Sequence, residues 1–197
     1  MNENKKKREI RDKALAMFRE NGYDNVTVNE IAAAAGISKN TFYYYYRSKE
    51  DLIRDIFHPS AYNGEQLMMK LMEIRDPKEQ IIMLCRMMAS YYESLGKEVV
   101  RKAMILNLAQ DLVDSPREHK PGGNHALLHR MIDNIYHHAI EEKKIRTDLD
   151  EHELARLQMT LLIGCLQVWA TIPRDLHLEE MYLQMVKEVL LPEHPAV

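Results

Sequence analysis

An all-α fold is predicted by three features of this sequence. Glycine and proline are scarce, seven of each in 197 residues, while strong helix formers abound. Apolar residues recur at helical spacing along most of the chain. Ser, Thr or Asp stands ahead of several of these runs with an acid three residues on, the mark of a capped helix start.

The first helix is expected from about Asn4 to Asn21, where Ile10, Ala14, Leu15 and Phe18 share a face and Gly22 offers a stop. Thr27-Val28-Asn29-Glu30 reads as a capping box, with Val26 and Ile31 placed for a hydrophobic staple. This second helix is short and ends after Ala35, at Gly36. Ser38 caps a third helix of about two turns, and Ser48-Lys49-Glu50-Asp51 opens a fourth. Asp76 caps a helix with Pro77 in its first position, and the stripe Ile81, Leu84, Cys85, Met88, Tyr91, Tyr92 and Leu95 runs on to Gly96. Further helices are expected over about 98–113 and 124–144, parted by a Pro- and Gly-containing loop at 115–123. Asp150 caps a long helix that passes Trp169 and stops before Pro173. The last runs from about Leu178 to Leu191 with a clean apolar stripe.

Composition narrows the function classes. No apolar run approaches a membrane span and the N-terminus lacks a hydrophobic signal core, so the chain is expected in the cytoplasm. Cys85 and Cys165 make neither a disulfide framework nor a zinc site and read as small buried hydrophobes. His125 and His129 stand four apart near His119 and His137, yet without a matched third ligand they read as surface histidines. There is no Gly-x-Ser-x-Gly elbow, Walker loop or Rossmann glycine pattern. His152-Glu153 begins a zinc-protease motif, but Arg156 stands where its second histidine belongs. The chain is therefore not expected to be an enzyme, nor to carry a cofactor or a metal. Its net charge of −3 hides an asymmetry: residues 1–54 hold 11 Lys and Arg against 8 Asp and Glu, and the remainder 16 against 22. Lys5, Lys6, Lys7, Arg8, Arg11 and Lys13 crowd the basic end, and phosphate responds to such local fields rather than to the overall charge.

A DNA-reading helix-turn-helix needs a bracing helix, a tight turn, and a second helix that presents its first turns to the major groove. Residues 27–46 supply these in order. Ala32 to Ala35 are small enough for close approach, Gly36 permits the turn, and Ile37 and Phe42 anchor the reading helix. Ser38, Lys39, Asn40, Thr41, Tyr43 and Tyr44 are left to reach outward. Tyr46, by contrast, is expected in the core.

The string Thr27-Val28-x-Glu30-Ile31-Ala32-x-x-Ala35-Gly36-Ile37-Ser38-x-x-Thr41-Phe42-Tyr43-Tyr44-Tyr45-Tyr46-x-Ser48-Lys49-Glu50-x-Leu52 resembles the signature of the tetracycline-repressor (TetR) family. The resemblance covers about the first 55 residues. It implies a homodimer with a helix-turn-helix DNA-binding domain, 1–47, and a helical effector-binding and dimerisation domain, 48–197. By position it implies that Thr27 and Lys49 contact phosphate, that Tyr43 and Tyr44 meet backbone and base edges, and that Ser38, Lys39, Asn40 and Thr41 lie where operator sequence is read. Asn40 stands where the family often has Gly, Phe42 where Leu or Ile is commoner, and Tyr46 where Phe is usual.

For the body, the stripe Leu154, Leu157, Leu161, Cys165 and Val168, with Leu178, Met181, Tyr182, Met185, Val186 and Val189, is expected to form a dimer interface of four helices from two chains. The middle helices are expected to enclose a largely apolar small-molecule effector, with Met87, Met88, Tyr91, Tyr92, Met104, Leu108, Leu128, Ile132 and Trp169 as walls. Asn107, Gln110 and Gln158 are the polar groups that would orient it. The function expected is a repressor released from palindromic operator DNA by that ligand. A coactivator or adaptor that kept the helix-turn-helix for protein contacts is the alternative.

Overall fold

Ile10, Ala14 and Phe18 are wholly buried along one side of α1 (Glu3–Asn21), while Lys5, Arg8, Lys13 and Arg19 are exposed. The computed structural model describes residues 3–58, 64–108, 124–146, 148–172 and 175–191. These form ten helices, continuing with α2 (Val28–Ala34), α3 (Lys39–Tyr45), α4 (Lys49–Phe57), α5 (Gly64–Glu73), α6 (Pro77–Leu95), α7 (Lys97–Leu108), α8 (Asn124–Glu141), α9 (Glu151–Thr171) and α10 (Leu178–Val189). The all-α prediction holds. α5 is absent from the helices the sequence predicts. None of the helices among the described residues is long and apolar enough to cross a membrane.

The chain forms two compact units, Met1–Ala61 with Ser94–Pro116, and Tyr62–Glu93 with Arg117–Val197. In the first, α1 packs on α2 and α4, α2 packs on α3, and α7 lies against α4 and α1. This unit therefore takes in α4 and α7 in addition to the helix-turn-helix segment. Its core is Ile10, Phe18, Ile31, Phe42, Leu52, Ile53, Ile56 and Val100, all at 0 or 1 % exposure. Each such side chain contributes about 1.5–3 kcal/mol by leaving water.

In the second unit α9 packs on both α8 and α10. Ile81, Leu84, Leu154, Leu162, Leu166, Leu178 and Val186 are buried there. At the close of α5, the Gln80 amide donates to the Leu71 and Ile74 carbonyls, both at 2.9 Å. Arg86 of α6 pairs with Glu179 of α10 at 2.9 Å.

Candidate nucleic-acid interface

The turn between α2 and α3 is built by glycine. Gly36 sits at φ +62°, and the chain closes a Schellman motif in which the Ile37 N–H donates to the Ala32 carbonyl at 2.9 Å and the Gly36 N–H to Ala33 at 3.0 Å. Side chains suffer a steric penalty in that left-handed region, and glycine does not. The Lys6 ammonium then reaches the Ala35 carbonyl at 3.0 Å, adding a positive charge at the carboxyl end of α2.

The first residues of α3 divide by what their side chains already hold. Ser38 is the N-cap: its hydroxyl accepts from the Thr41 N–H at 3.1 Å and lies 2.8 Å from the Thr41 hydroxyl. Phe42 is wholly buried, with the equally buried Tyr46 ring 5.8 Å away, and the pair pins α3 to the core. That orientation leaves Lys39 and Asn40 exposed, with Tyr43 at 45 % and Tyr44 at 71 % exposure. Exposed Lys, Asn and Tyr side chains carry the donors that reach phosphate oxygens and base edges.

The other positions expected on DNA are engaged within the unit. Thr27 closes the predicted capping box: its hydroxyl donates to Glu30 Oε2 at 2.7 Å and accepts from the Glu30 N–H at 3.3 Å. The hydrogen bonds from the Thr27 backbone N–H and hydroxyl hold the Glu30 carboxyl below its ordinary range. The Lys49 ammonium donates to the Tyr23 and Val26 carbonyls at 2.8 and 2.7 Å. Part of the basic run is also taken up internally, since Lys7 and Arg11 both pair with Asp55, at 3.2 and 3.7 Å. The Tyr46 hydroxyl donates to the same carboxylate at 2.8 Å, and burial followed by the Asp55 charge pushes its pKa well up. Nothing in the spacing of Asp55 signalled this hub, because its partners come from α1 and from the end of α3.

Residues expected around an effector fall into both units. Met87, Tyr92, Trp169 and Gln158 are buried in the second, with Met88, Tyr91 and Ile132 half-buried. Gln158, at 2 % exposure, is hydrogen-bonded within the protein. Its carbonyl oxygen accepts from the Tyr136 hydroxyl at 2.6 Å and its amide donates to Cys85 Sγ at 3.2 Å. The Trp169 indole donates to the Leu176 carbonyl at 3.0 Å. Met104, Asn107 and Leu108 belong to the first unit, and Leu108 is 82 % exposed at the end of α7 rather than part of a wall. Gln110 and the Leu128 side chain lie outside the described residues, as do the side chains of His119, His125 and His129.

The expected dimer stripe needs a similar correction. Leu154, Cys165, Leu178, Tyr182 and Val186 are covered within one protomer, so their stripe is the core-facing side of α9 and α10. Leu157, Leu161, Met181 and Val189 are half-buried. The apolar surface left open is Ile163, at 54 % exposure, with Val168 and Met185. Gly164 lies beside Ile163 and is exposed too. Met159, Ile163 and Ala170 make the other side of α9 apolar too, and a helix apolar all round gives no sequence signal for which side turns inward.

Residues 10–56 match the family described as bacterial regulatory proteins, tetR family. The chain is 23 % identical to the HTH-type transcriptional regulator AcrR of Shigella flexneri, over 87 % of this chain and 81 % of that one. Its fold is similar to that of Thermus thermophilus FadR, a TetR-family transcriptional repressor solved with lauroyl-CoA. That likeness has a TM-score of 0.65 and 26 % identity, and covers 97 % of this chain and 98 % of the other. Bacillus subtilis FadR, solved with stearoyl-CoA, shares the fold at a TM-score of 0.66 and 20 % identity, over 90 % and 96 % of the two chains.

Proposed function

This chain belongs to the tetR family of bacterial regulatory proteins, and we propose that it is a repressor that grips a palindromic operator as a dimer and is released by a small, largely apolar ligand. The observation that carries this reading is the outward face of α3, where Lys39, Asn40, Tyr43 and Tyr44 stand exposed above a buried Phe42. A reading helix of seven residues reaches few base edges alone, and two of them on linked half-sites overcome that weakness. The open surface of Ile163, Gly164 and Val168 on α9 with Met185 on α10 is the candidate face for the second chain.

The T. thermophilus relative is solved with lauroyl-CoA, and this supports an acyl thioester of coenzyme A as the first ligand to test, one whose acyl chain is apolar and whose phosphates are anionic. Such a ligand shifts the repressor off DNA only by as much as it prefers the non-binding conformation.

The test is fluorescence anisotropy with duplexes from the DNA upstream of the protein's own coding sequence, over a salt series, for wild type and Tyr44→Ala. Tight, sequence-selective, salt-sensitive binding that weakens in the variant and is reversed by lauroyl-CoA supports the whole reading. Binding that lauroyl-CoA leaves unchanged removes the ligand class alone. If no duplex binds above nonspecific levels, the repressor reading falls and the adaptor takes its place.

A further inference from the structure

Lys49 stands at the start of α4, where the family resemblance implies a phosphate contact, yet two of the three N–H donors of its ammonium are engaged within the protein. It donates to the carbonyls of Tyr23 and Val26 at 2.8 and 2.7 Å and lies 4.2 Å from the centroid of the Tyr23 ring. Lys102 of α7 comes within 5.2 Å of the same centroid and pairs with Asp24 at 2.7 Å. The Tyr23 hydroxyl donates to Glu50 Oε1 at 3.4 Å. The loop from Tyr23 to Val26, which leads directly into the Thr27 cap of α2, is thus tied at its carbonyls, its ring and its carboxylate. An ammonium that moved out to a phosphate would leave two carbonyls without their charged donor and would uncover the ring.

Arg47, two residues earlier, presents the opposite case. It is exposed, its backbone N–H donates to Asp51 Oδ2 at 3.0 Å, and among the described residues no hydrogen bond or ion pair engages its guanidinium. It carries a planar donor fork suited to phosphate.

We infer that Lys49 is a positioning residue, a clamp that holds the Tyr23–Val26 loop and so sets α2 and the helix-turn-helix, and that Arg47 supplies the phosphate contact at this corner. The clamp stands on the protein's own geometry; only the assignment of Arg47 rests on the DNA-binding reading.

Two measurements on the full-length protein separate these roles. Amide hydrogen exchange without DNA should quicken at residues 23–27 in Lys49→Met and stay unchanged in Arg47→Gln. On upstream duplex, Lys49→Met should lower affinity about tenfold at every salt concentration, with the slope of log K against log salt preserved. Arg47→Gln should flatten that slope by about 0.9 for each phosphate it no longer neutralises. Unaltered exchange at residues 23–27 in Lys49→Met, or a slope flattened by that variant, overturns the inference. So does a slope left intact by Arg47→Gln. If wild type binds no duplex, the repressor reading fails, and the exchange result still decides the clamp. Should Lys49→Met not fold, nitrogen NMR of the wild-type lysine ammonium groups takes its place. Slow proton exchange at Lys49, with no coupling to phosphorus in the complex, supports the clamp, and a phosphorus coupling overturns it.

Discussion

Glu93 on α6 caps α10: its Oε1 accepts the backbone N–H of Leu178 at 2.7 Å and that of Glu179 at 3.4 Å. The residue in α10's own N-cap position, His177, makes no side-chain cap bond. The orphan donors of one helix are thus satisfied from another helix 85 residues away in sequence.

Removing that cap should cost what a local one does. Glu93→Ala is expected to destabilise the protein by about 1 kcal/mol, and Glu93→Gln, which keeps an acceptor, by less. Urea denaturation at one fixed protein concentration measures both, since any dimerisation makes stability concentration-dependent. Equal stability of Glu93→Ala and wild type would show that solvent satisfies those amides as well.

The Gln158 network should behave as a unit. The Tyr136 hydroxyl donates to Gln158 Oε1 at 2.6 Å inside the second unit, and the Tyr182 hydroxyl donates to the Gln158 backbone carbonyl at 3.4 Å. Gln158→Leu strands a buried hydroxyl and is expected to cost about 1–3 kcal/mol. Adding Tyr136→Phe removes the stranded group, so the double variant should be more stable than the sum of the single losses implies. A double-mutant cycle by denaturation reads the difference, and strict additivity would rule out the coupling.

Gly36 and Lys143 occupy the same place in two helix endings. Lys143 follows α8 at φ +53°, with its N–H on the Ile140 carbonyl and the Lys144 N–H on Ala139, both at 2.9 Å. Gly36→Ala should therefore destabilise by about 1 kcal/mol, because a side chain is forced into the left-handed region. Lys143→Gly should instead stabilise by about 0.5–1 kcal/mol, after allowing for the entropy of glycine in the unfolded chain. Shifts of opposite sign in melting temperature are the expected result, and a stabilising Gly36→Ala would contradict the turn geometry.

Burial pushes the Cys85 thiol up to about 12 from an ordinary 9.0. The native thiol should resist iodoacetamide at pH 8 and react once the chain is unfolded. Because the folded pKa is raised, only the unfolded thiol ionises as pH passes 9.0, so stability falls between there and about 12. Burial also raises the Tyr136 and Tyr182 hydroxyls, which adds in the same direction. The denaturation midpoint should be lower at about pH 10.5 than at about pH 8, and Cys85→Ala should reduce that drop. A midpoint that rises with pH would contradict the assignment.

Local chemistry made most of the helices legible. Thr27, Ser38, Ser48 and Asp150 accept from the backbone N–H three residues on, and Gly22, Gly36 and Gly96 take positive φ where the sequence asks for stops. Such signals act within one turn of backbone, so they survive translation from sequence to structure. The exposed positions of α3 were legible for the same reason, once Phe42 was recognised as the buried side of a short helix. What the tertiary structure alone decided was which partner each side chain takes. Lys49, Glu93, Asp55 and Gln158 each bond to residues on other helices or loops, through contacts that no helical period encodes. The inward side of α9 was settled in the same way, by where α8 and α10 pack, because a helix apolar on every face states that it is buried without stating against what.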